Sequence, residues 1–347
     1  MHPTLFSKKR LISGILCFFL IASCQGNNST PQQPDEQSTE ANGSLIGQLP
    51  QTKVLSERIE KEPNNPELYF ARGSMLLSMN DANAASKDFV KAITLDSTKA
   101  QYYLAAAEVF YNVQRVPQAV LVLERAERNA PPDPRIQLEL GKAYYTIQKY
   151  DKAAEKLNPL LTQQPDNAIV CFWMGMLQKD QNKTQEAIKY LKKATDLDPK
   201  YYNAHIMLAQ IYAQAGNTTA LNYYNKAVAI DSTKTEALYG KAMFLQQNNN
   251  TKQAIAAYQK LIEQDPQNQD AFYNLGYIYY NQNDYKKAKE HFELATKMNP
   301  VFAKAYYMRG QCSEKLGEKD NAKADYNKAI TFDPELKIAE EALKNLK

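Results

Sequence analysis

The sequence predicts an all-α fold, an α-solenoid of about eight helical hairpins with capping helices, and three periodic observations carry that prediction. A small residue recurs at Gly73, Ala107, Gly141, Gly175, Ala209, Ala242, Gly276 and Gly310, spaced by 34 residues except for one spacing of 33. Alanine follows twelve residues later, eleven in the short unit, at Ala85, Ala119, Ala153, Ala187, Ala220, Ala254, Ala288 and Ala322. Each unit then closes on Pro131, Pro165, Pro199, Pro266, Pro300 or Pro334, with Ser97 and Ser232 in the other two. Within residues 270–300, Phe272, Leu275, Gly276 and Tyr279 form one helical face and Ala288, Phe292 and Ala295 a second, stopped by Pro300. Each hairpin leaves an apolar face that only a neighbouring hairpin can cover, so the units stack in one dimension.

Taken from the amino terminus, residues 1–23 read as a signal peptide. Lys8, Lys9 and Arg10 precede twelve mostly apolar residues, Leu11 to Ala22. That run is short of the roughly 20 residues a membrane-spanning helix needs. Ile21, Ala22, Ser23 and Cys24 resemble a bacterial lipobox, which implies lipidation at Cys24, cleavage before it and anchoring by two or three acyl chains. The plainer reading is an ordinary signal peptide cut nearby, leaving a free thiol. Gln25 in place of an aspartate implies, by the same resemblance, the outer membrane. Residues 24–50 form a tether. Its stretch 25–44 has no aromatic and no large aliphatic side chain, and a coil of that length spans about 25 Å on average.

Residues 51–65 read as the second helix of a worn unit, with Leu55 and Ile59 facing inward, and residues 66–336 hold the eight full units. Residues 337–347 complete a capping helix whose stripe is Leu336, Ala339, Leu343 and Leu346. Pro159 falls inside the second helix of the third unit and predicts a kink or a broken turn there.

The pattern across 34 residues, aromatic, leucine, glycine, tyrosine, alanine, aromatic, alanine, proline, resembles the tetratricopeptide repeat (TPR) family. The resemblance implies a right-handed superhelix of about eight TPR units and protein or peptide binding without catalysis. Departures are local: Cys171 and His205 stand in the first aromatic place, and the fifth unit is one residue short near Gly216.

Composition and motifs exclude several classes. Hydrophobic residues make up 44% and charged residues 23%, the normal globular range. The formal charge of +4 loses three once Lys8, Lys9 and Arg10 leave, and no dense basic cluster remains to hold nucleic acid. No HExxH, GxSxG, phosphate-binding glycine loop or CxxC occurs, so no metal, cofactor or catalytic residue is expected. His205 and His291 lie more than two repeats apart, and Cys171 and Cys312 four repeats apart, which reads as ordinary helix residues and buried free thiols. The Asp-Ser-Thr triplets at 96–98 and 231–233 match a short O-glycosylation pattern of exported proteins, but the preferred reading is that Ser replaces Pro in the turn between repeats, since three residues recur easily.

Binding is then the expected activity. In the TPR family the first helix of each hairpin lines a concave groove, at the residue after the first aromatic and then four and seven further on. That resemblance places Phe70, Leu104, Tyr111, Leu138, Tyr145, Phe172, Ile206, Tyr239, Tyr273, Tyr277, Tyr280 and Tyr307 along an unbroken apolar and aromatic ladder, with Met176 and Met243. The same tyrosines could instead pack neighbouring helices. Tyr279 takes the family's inter-helix packing place, so its truncation should act on stability while those of Tyr273, Tyr277 and Tyr280 act on binding. The Lys and Asn clamp that grips a terminal carboxylate is missing, since its asparagine places hold Ser74, Glu108, Lys142, Met176, Gln210, Met243, Tyr277 and Gln311. The leading expectation is a non-catalytic, lipid-anchored adaptor of the bacterial envelope that holds a protein or peptide partner. The alternative is an accessory component of a glycan-processing or carbohydrate-binding envelope system.

Overall fold

The computed structural model describes residues 50–346, and their regular secondary structure is entirely helical. The signal peptide, Cys24 and the tether up to residue 49 lie outside the described residues. A single helix, α1 (Pro50–Lys61), comes first, then eight hairpins. They are α2 (Pro66–Ser78) with α3 (Ala82–Leu95), α4 (Ala100–Asn112) with α5 (Val116–Asn129), α6 (Pro134–Thr146) with α7 (Tyr150–Gln163), and α8 (Ala168–Asp180) with α9 (Thr184–Leu197). The series continues with α10 (Tyr202–Gln214) and α11 (Thr219–Ile230), α12 (Thr235–Gln247) and α13 (Thr251–Gln264), α14 (Gln269–Asn281) and α15 (Tyr285–Met298), and α16 (Ala303–Lys315) and α17 (Lys319–Phe332). The short α18 (Lys337–Asn345) packs on α17 and buries Ala339.

Local chemistry starts and stops these helices. The Asn65 side chain accepts from the Glu67 N–H, with Pro66 just inside the helix, and Asp81 does the same for Ala84 at the start of α3. Every hairpin turn then repeats one device. Asn80, Gln114, Gln148, Asn182, Gly216, Asn249, Asn283 and Gly317 all take positive φ, between 57° and 78°. This lets the next residue's N–H reach back to a carbonyl in the last turn, as Asp81 does to Leu76 at 2.9 Å, and so satisfies an otherwise orphaned acceptor. Asparagine tolerates this backbone better than glutamine, which makes Gln114 and Gln148 the strained members.

The periodic alanines are the floor of the core. All eight from Ala85 to Ala322 are fully buried, as are Ala92, Ala126, Ala194, Ala227, Ala295 and Ala329. The small place opposite is small because the second helix fills it: a Cβ on Gly276 would sit 2.8 Å from the Phe292 ring, and one on Gly141 2.6 Å from Leu157. Each helix packs on the next in sequence. Beyond that, first helices meet directly, α2 with α4, α4 with α6, α6 with α8, α10 with α12 and α14 with α16. No two second helices meet to that extent among the described residues, so the first helices form the crowded inner row.

Two local expectations resolve differently. Pro159 neither breaks nor ends its helix, since α7 runs unbroken from Tyr150 to Gln163. Ala153, Leu157 and Leu160 hold one face of α7 in the core, while Pro159 and Glu155 are exposed, so water can satisfy the Glu155 carbonyl that loses its donor. The short fifth unit shows just after Gly216, as its spacing predicts: α11 has 12 residues where its counterparts have 14, the turn before it is one residue longer, and Asn217 accepts from the Thr219 N–H at 2.9 Å to cap it.

The first and last hairpins share a buried ion pair. Arg72 donates to both Asp88 oxygens at 2.8 Å and to Ser56 on α1 at 3.1 Å. Arg309 donates to Asp325 at 2.8 and 2.6 Å and to Thr296 at 3.2 Å. Each guanidinium also lies over the unit's first tyrosine, Tyr69 or Tyr306, which Lys91 or Lys328 approaches as well.

Candidate peptide-binding groove

The inner row carries the residues that the repeat register selected, and their burial divides them. Phe70, Leu104, Leu138, Tyr239, Tyr273 and Tyr307 are half-buried. Their rings lean into the hairpins: Phe70 lies 5.7 Å from Phe89 and 5.2 Å from Tyr102, and Tyr273 5.5 Å from Phe292 and 5.2 Å from Phe302. Tyr307 and Tyr239 similarly approach Tyr326 and Tyr258. Part of each ring holds the repeat together, and the rest remains open to the inner surface.

The tyrosines two turns further on tie neighbouring units. Tyr111 on α4 donates its hydroxyl to the Glu139 carbonyl on α6 at 3.1 Å, Tyr145 on α6 to the Asp180 carboxylate on α8, and Tyr280 on α14 to the Gln311 amide oxygen on α16 at 3.0 Å. Burial pushes the Tyr111 and Tyr145 phenols well above their ordinary range, and for Tyr145 the Asp180 carboxylate adds to the effect, so both stay protonated donors. Tyr277 alone of the ladder is strongly exposed, at 40%.

The ladder is not unbroken. Phe172 is 6% exposed and Ile206 3%, so neither offers groove surface. Phe172 is closed off by Trp173 on one side at 5.5 Å and Tyr201 on the other at 5.0 Å. Trp173, one residue along, takes up the inner position instead, half-buried and edge-on to Tyr145 at 5.3 Å. Register reasoning passed over it, although its being the one tryptophan of the chain marks it out. The stability contrast also shifts. Tyr279 is only half-buried, stacked on His291 at 5.3 Å, while Tyr273 and Tyr280 are built into packing, leaving Tyr277 as the exposed member of the set.

Three ladder residues meet in a pocket of about 660 Å³ between α4 and α6. Leu104, Tyr111 and Leu138 give it an apolar floor, and Glu108, Arg135 and Lys142 stand at its rim. Lys142 is paired with Glu139 at 2.8 Å and Arg135 with Asp133 at 2.6 Å, whereas Glu108 makes no ion pair among the described residues. An apolar cavity with few polar groups suits a side chain of an extended segment, with the rim fixing its orientation.

The histidines and thiols serve the fold. Cys171 and Cys312 are buried free thiols, and burial pushes Cys312 up to about 12. His205 stands where Tyr69 and Tyr103 stand in other units. Those hydroxyls donate to the carbonyl six residues upstream at 3.0 and 3.1 Å, and His205 Nε2 lies 3.0 Å from the Pro199 carbonyl. Burial, with a smaller contribution from Lys226, holds the His205 imidazole below its ordinary 6.5. The unfolded chain therefore binds more protons in the window just below pH 6.5, and stability falls as pH drops through it. Melting temperature is expected to fall between pH 7.5 and 5.5, and His205→Tyr to flatten part of that fall while keeping the bond to Pro199. An identical slope in the variant would refute the assignment. Among the described residues no cluster of His, Cys, Asp or Glu could hold a metal ion, and no helix is long and apolar enough to cross a membrane.

Comparison with known proteins agrees with this geometry. Family models described as tetratricopeptide repeat match residues 66–99 and 303–336, residues 104–168, and residues 179–220 and 245–312. Protein O-mannosyl-transferase TMTC3 of Homo sapiens is 27% identical over 180 residues, which is 50% of this chain and 19% of that protein. Mitochondrial import receptor subunit TOM70 of Homo sapiens is 24% identical over 194 residues, 53% of this chain and 32% of that one. The chain spans less than half the length of the curated relatives it matches. The crystal structure of the C-terminal part of a TPR repeat-containing protein from Cytophaga hutchinsonii superposes with a TM-score of 0.57 at 19% identity, covering 68% of this chain and 98% of that one. Repeat period, hairpin geometry and family models agree, and the chain belongs to the tetratricopeptide repeat family.

Proposed function

We propose that this protein is a non-catalytic adaptor that holds an extended segment of a partner protein along its inner row of helices, and that lipid on Cys24 keeps it at the bacterial cell envelope, in the outer membrane. The observation that carries the adaptor reading is the α4–α6 pocket, where Leu104, Tyr111 and Leu138 leave apolar surface open beside unpaired Glu108. Tyr277 adds a second accessible aromatic on the same row. Tyrosine suits such a surface because it offers large contact area at low entropic cost and a hydroxyl for a backbone partner. That one relative is an import receptor subunit agrees with the same reading. Lipidation rests on the sequence around Cys24. A glycan-binding role draws little support from Trp173, whose half-buried ring already packs against Phe172 and Tyr145.

The test uses protein lacking residues 1–24 as bait on envelope extract, beside full-length protein and Cys24→Ala labelled with a fatty-acid analogue. A reproducible protein partner is expected. At least one of Leu138→Ala and Tyr277→Ala should weaken its binding by more than about 2 kcal/mol, the scale of a hot spot, and Tyr277→Ala should barely move the melting temperature. Wild-type affinity in both variants would remove the groove reading, and label retained by Cys24→Ala would remove the anchor.

A further inference from the structure

The ion pairs of the first and last hairpins provide an internal template for a site in the sixth. Arg72 and Arg309 each precede the small residue of their unit, and Asp88 and Asp325 each stand three residues after its first alanine. In the sixth unit those two places hold Lys241 and Ala257. The third member of the set, Lys91 or Lys328, has its counterpart in Lys260, and Ser56, which meets Arg72 from the preceding helix, has its counterpart in Asn225. The cations and the polar neighbour are kept, and the carboxylate is gone.

Its place is open. A cleft of about 450 Å³ lies among α11, α12 and α13, with half-buried Leu221 and Val228 as its apolar wall, buried Ala257 beneath, and Asn225, Lys241 and Lys260 around it. Neither lysine makes an ion pair or a hydrogen bond among the described residues. Lys241 is half-buried, and burial, reinforced by the Lys260 charge, holds its ammonium below the ordinary lysine range. A partly desolvated cation without a counter-charge is unfavourable, and an anion entering between the two lysines relieves it. The Leu221 and Val228 wall asks for an aliphatic body behind that anion, and the volume is at the small-ligand end of protein cavities.

We propose that this cleft binds a small carboxylate, one anionic head on a short aliphatic chain. The head takes the position that the Asp88 and Asp325 carboxylates occupy in the end units, and the chain lies on Leu221 and Val228. None of the lining residues belongs to the inner-row ladder, so the site is independent of partner binding.

Hexanoate is the probe, titrated at constant ionic strength in chloride and read by calorimetry and melting temperature, with 1-hexanol and inorganic phosphate as matched controls. Saturable binding of hexanoate is expected, at least tenfold tighter than either control. Ala257→Asp restores the carboxylate of the end units. It should raise the melting temperature without ligand and weaken hexanoate at least tenfold, and Lys241→Met should weaken hexanoate as much. Hexanol binding as tightly as hexanoate would reduce the site to an apolar dimple, and phosphate binding as tightly would remove the aliphatic part. Unchanged hexanoate binding by folded Ala257→Asp would overturn the site altogether.

Discussion

Phe292→Ala is expected to lower stability by about 3–5 kcal/mol, the range for emptying a buried aromatic site. The ring is fully buried, fills the space that Gly276 leaves by having no side chain, and lies 5.5 Å from Tyr273. Because the small place is glycine, no neighbouring side chain on α14 can swing in to close the cavity. Repeats touch mainly their neighbours, so the loss should concentrate in α14, α15 and α16. Urea denaturation followed by circular dichroism gives the magnitude, and amide exchange gives the location. Tyr279→Ala in the same hairpin serves as comparison. Its half-exposed ring should cost clearly less, and equal costs would mean that the exposed edge of Tyr279 matters as much as the core.

Asp325→Ala should be of similar size, about 3–5 kcal/mol, since it strands a buried guanidinium. The Asp325 and Arg309 side chains are 7% and 18% exposed, and Thr296 would be the one remaining hydrogen-bond partner of Arg309. Most of that cost is desolvation of the orphaned charge. The double variant Asp325→Leu with Arg309→Met should therefore recover much of it, in chemical denaturation of the three proteins side by side. A loss below about 1 kcal/mol in the single variant would class the pair with surface ion pairs.

The sequence made the hairpins legible because a strict period constrains every unit at once. A residue that is alanine in all eight copies has one environment to explain it, and all eight proved buried. What stayed hidden depends on contacts between units, which a register does not contain. Tyr273 reads as groove-facing within its own hairpin, yet Phe302 at the end of that unit packs against its ring. Phe172 occupies the same place as Phe70, but Tyr201 and Trp173 close over it. Pro159, read within its helix alone, predicts a kink or a broken turn, whereas α7 runs unbroken because its buried face holds it and the exposed Glu155 carbonyl can turn to water. The Arg72–Asp88 pair was visible in principle, since the same arginine and aspartate recur in the eighth unit, but charged residues 16 apart have no helical period to flag them.

The two end pairs change where such an array comes apart. A stack of identical units opens from its tips, because a terminal unit has one neighbour and an inner unit two. Here the tips carry Arg72–Asp88 and Arg309–Asp325, while the fifth hairpin has the shortened α11, 12 residues against 14 in the other second helices. The weakest joint is thereby moved inward. Under heat the fifth hairpin is then expected to open as readily as the ends, which amide exchange faster in α11 than in α3 and α17 would show.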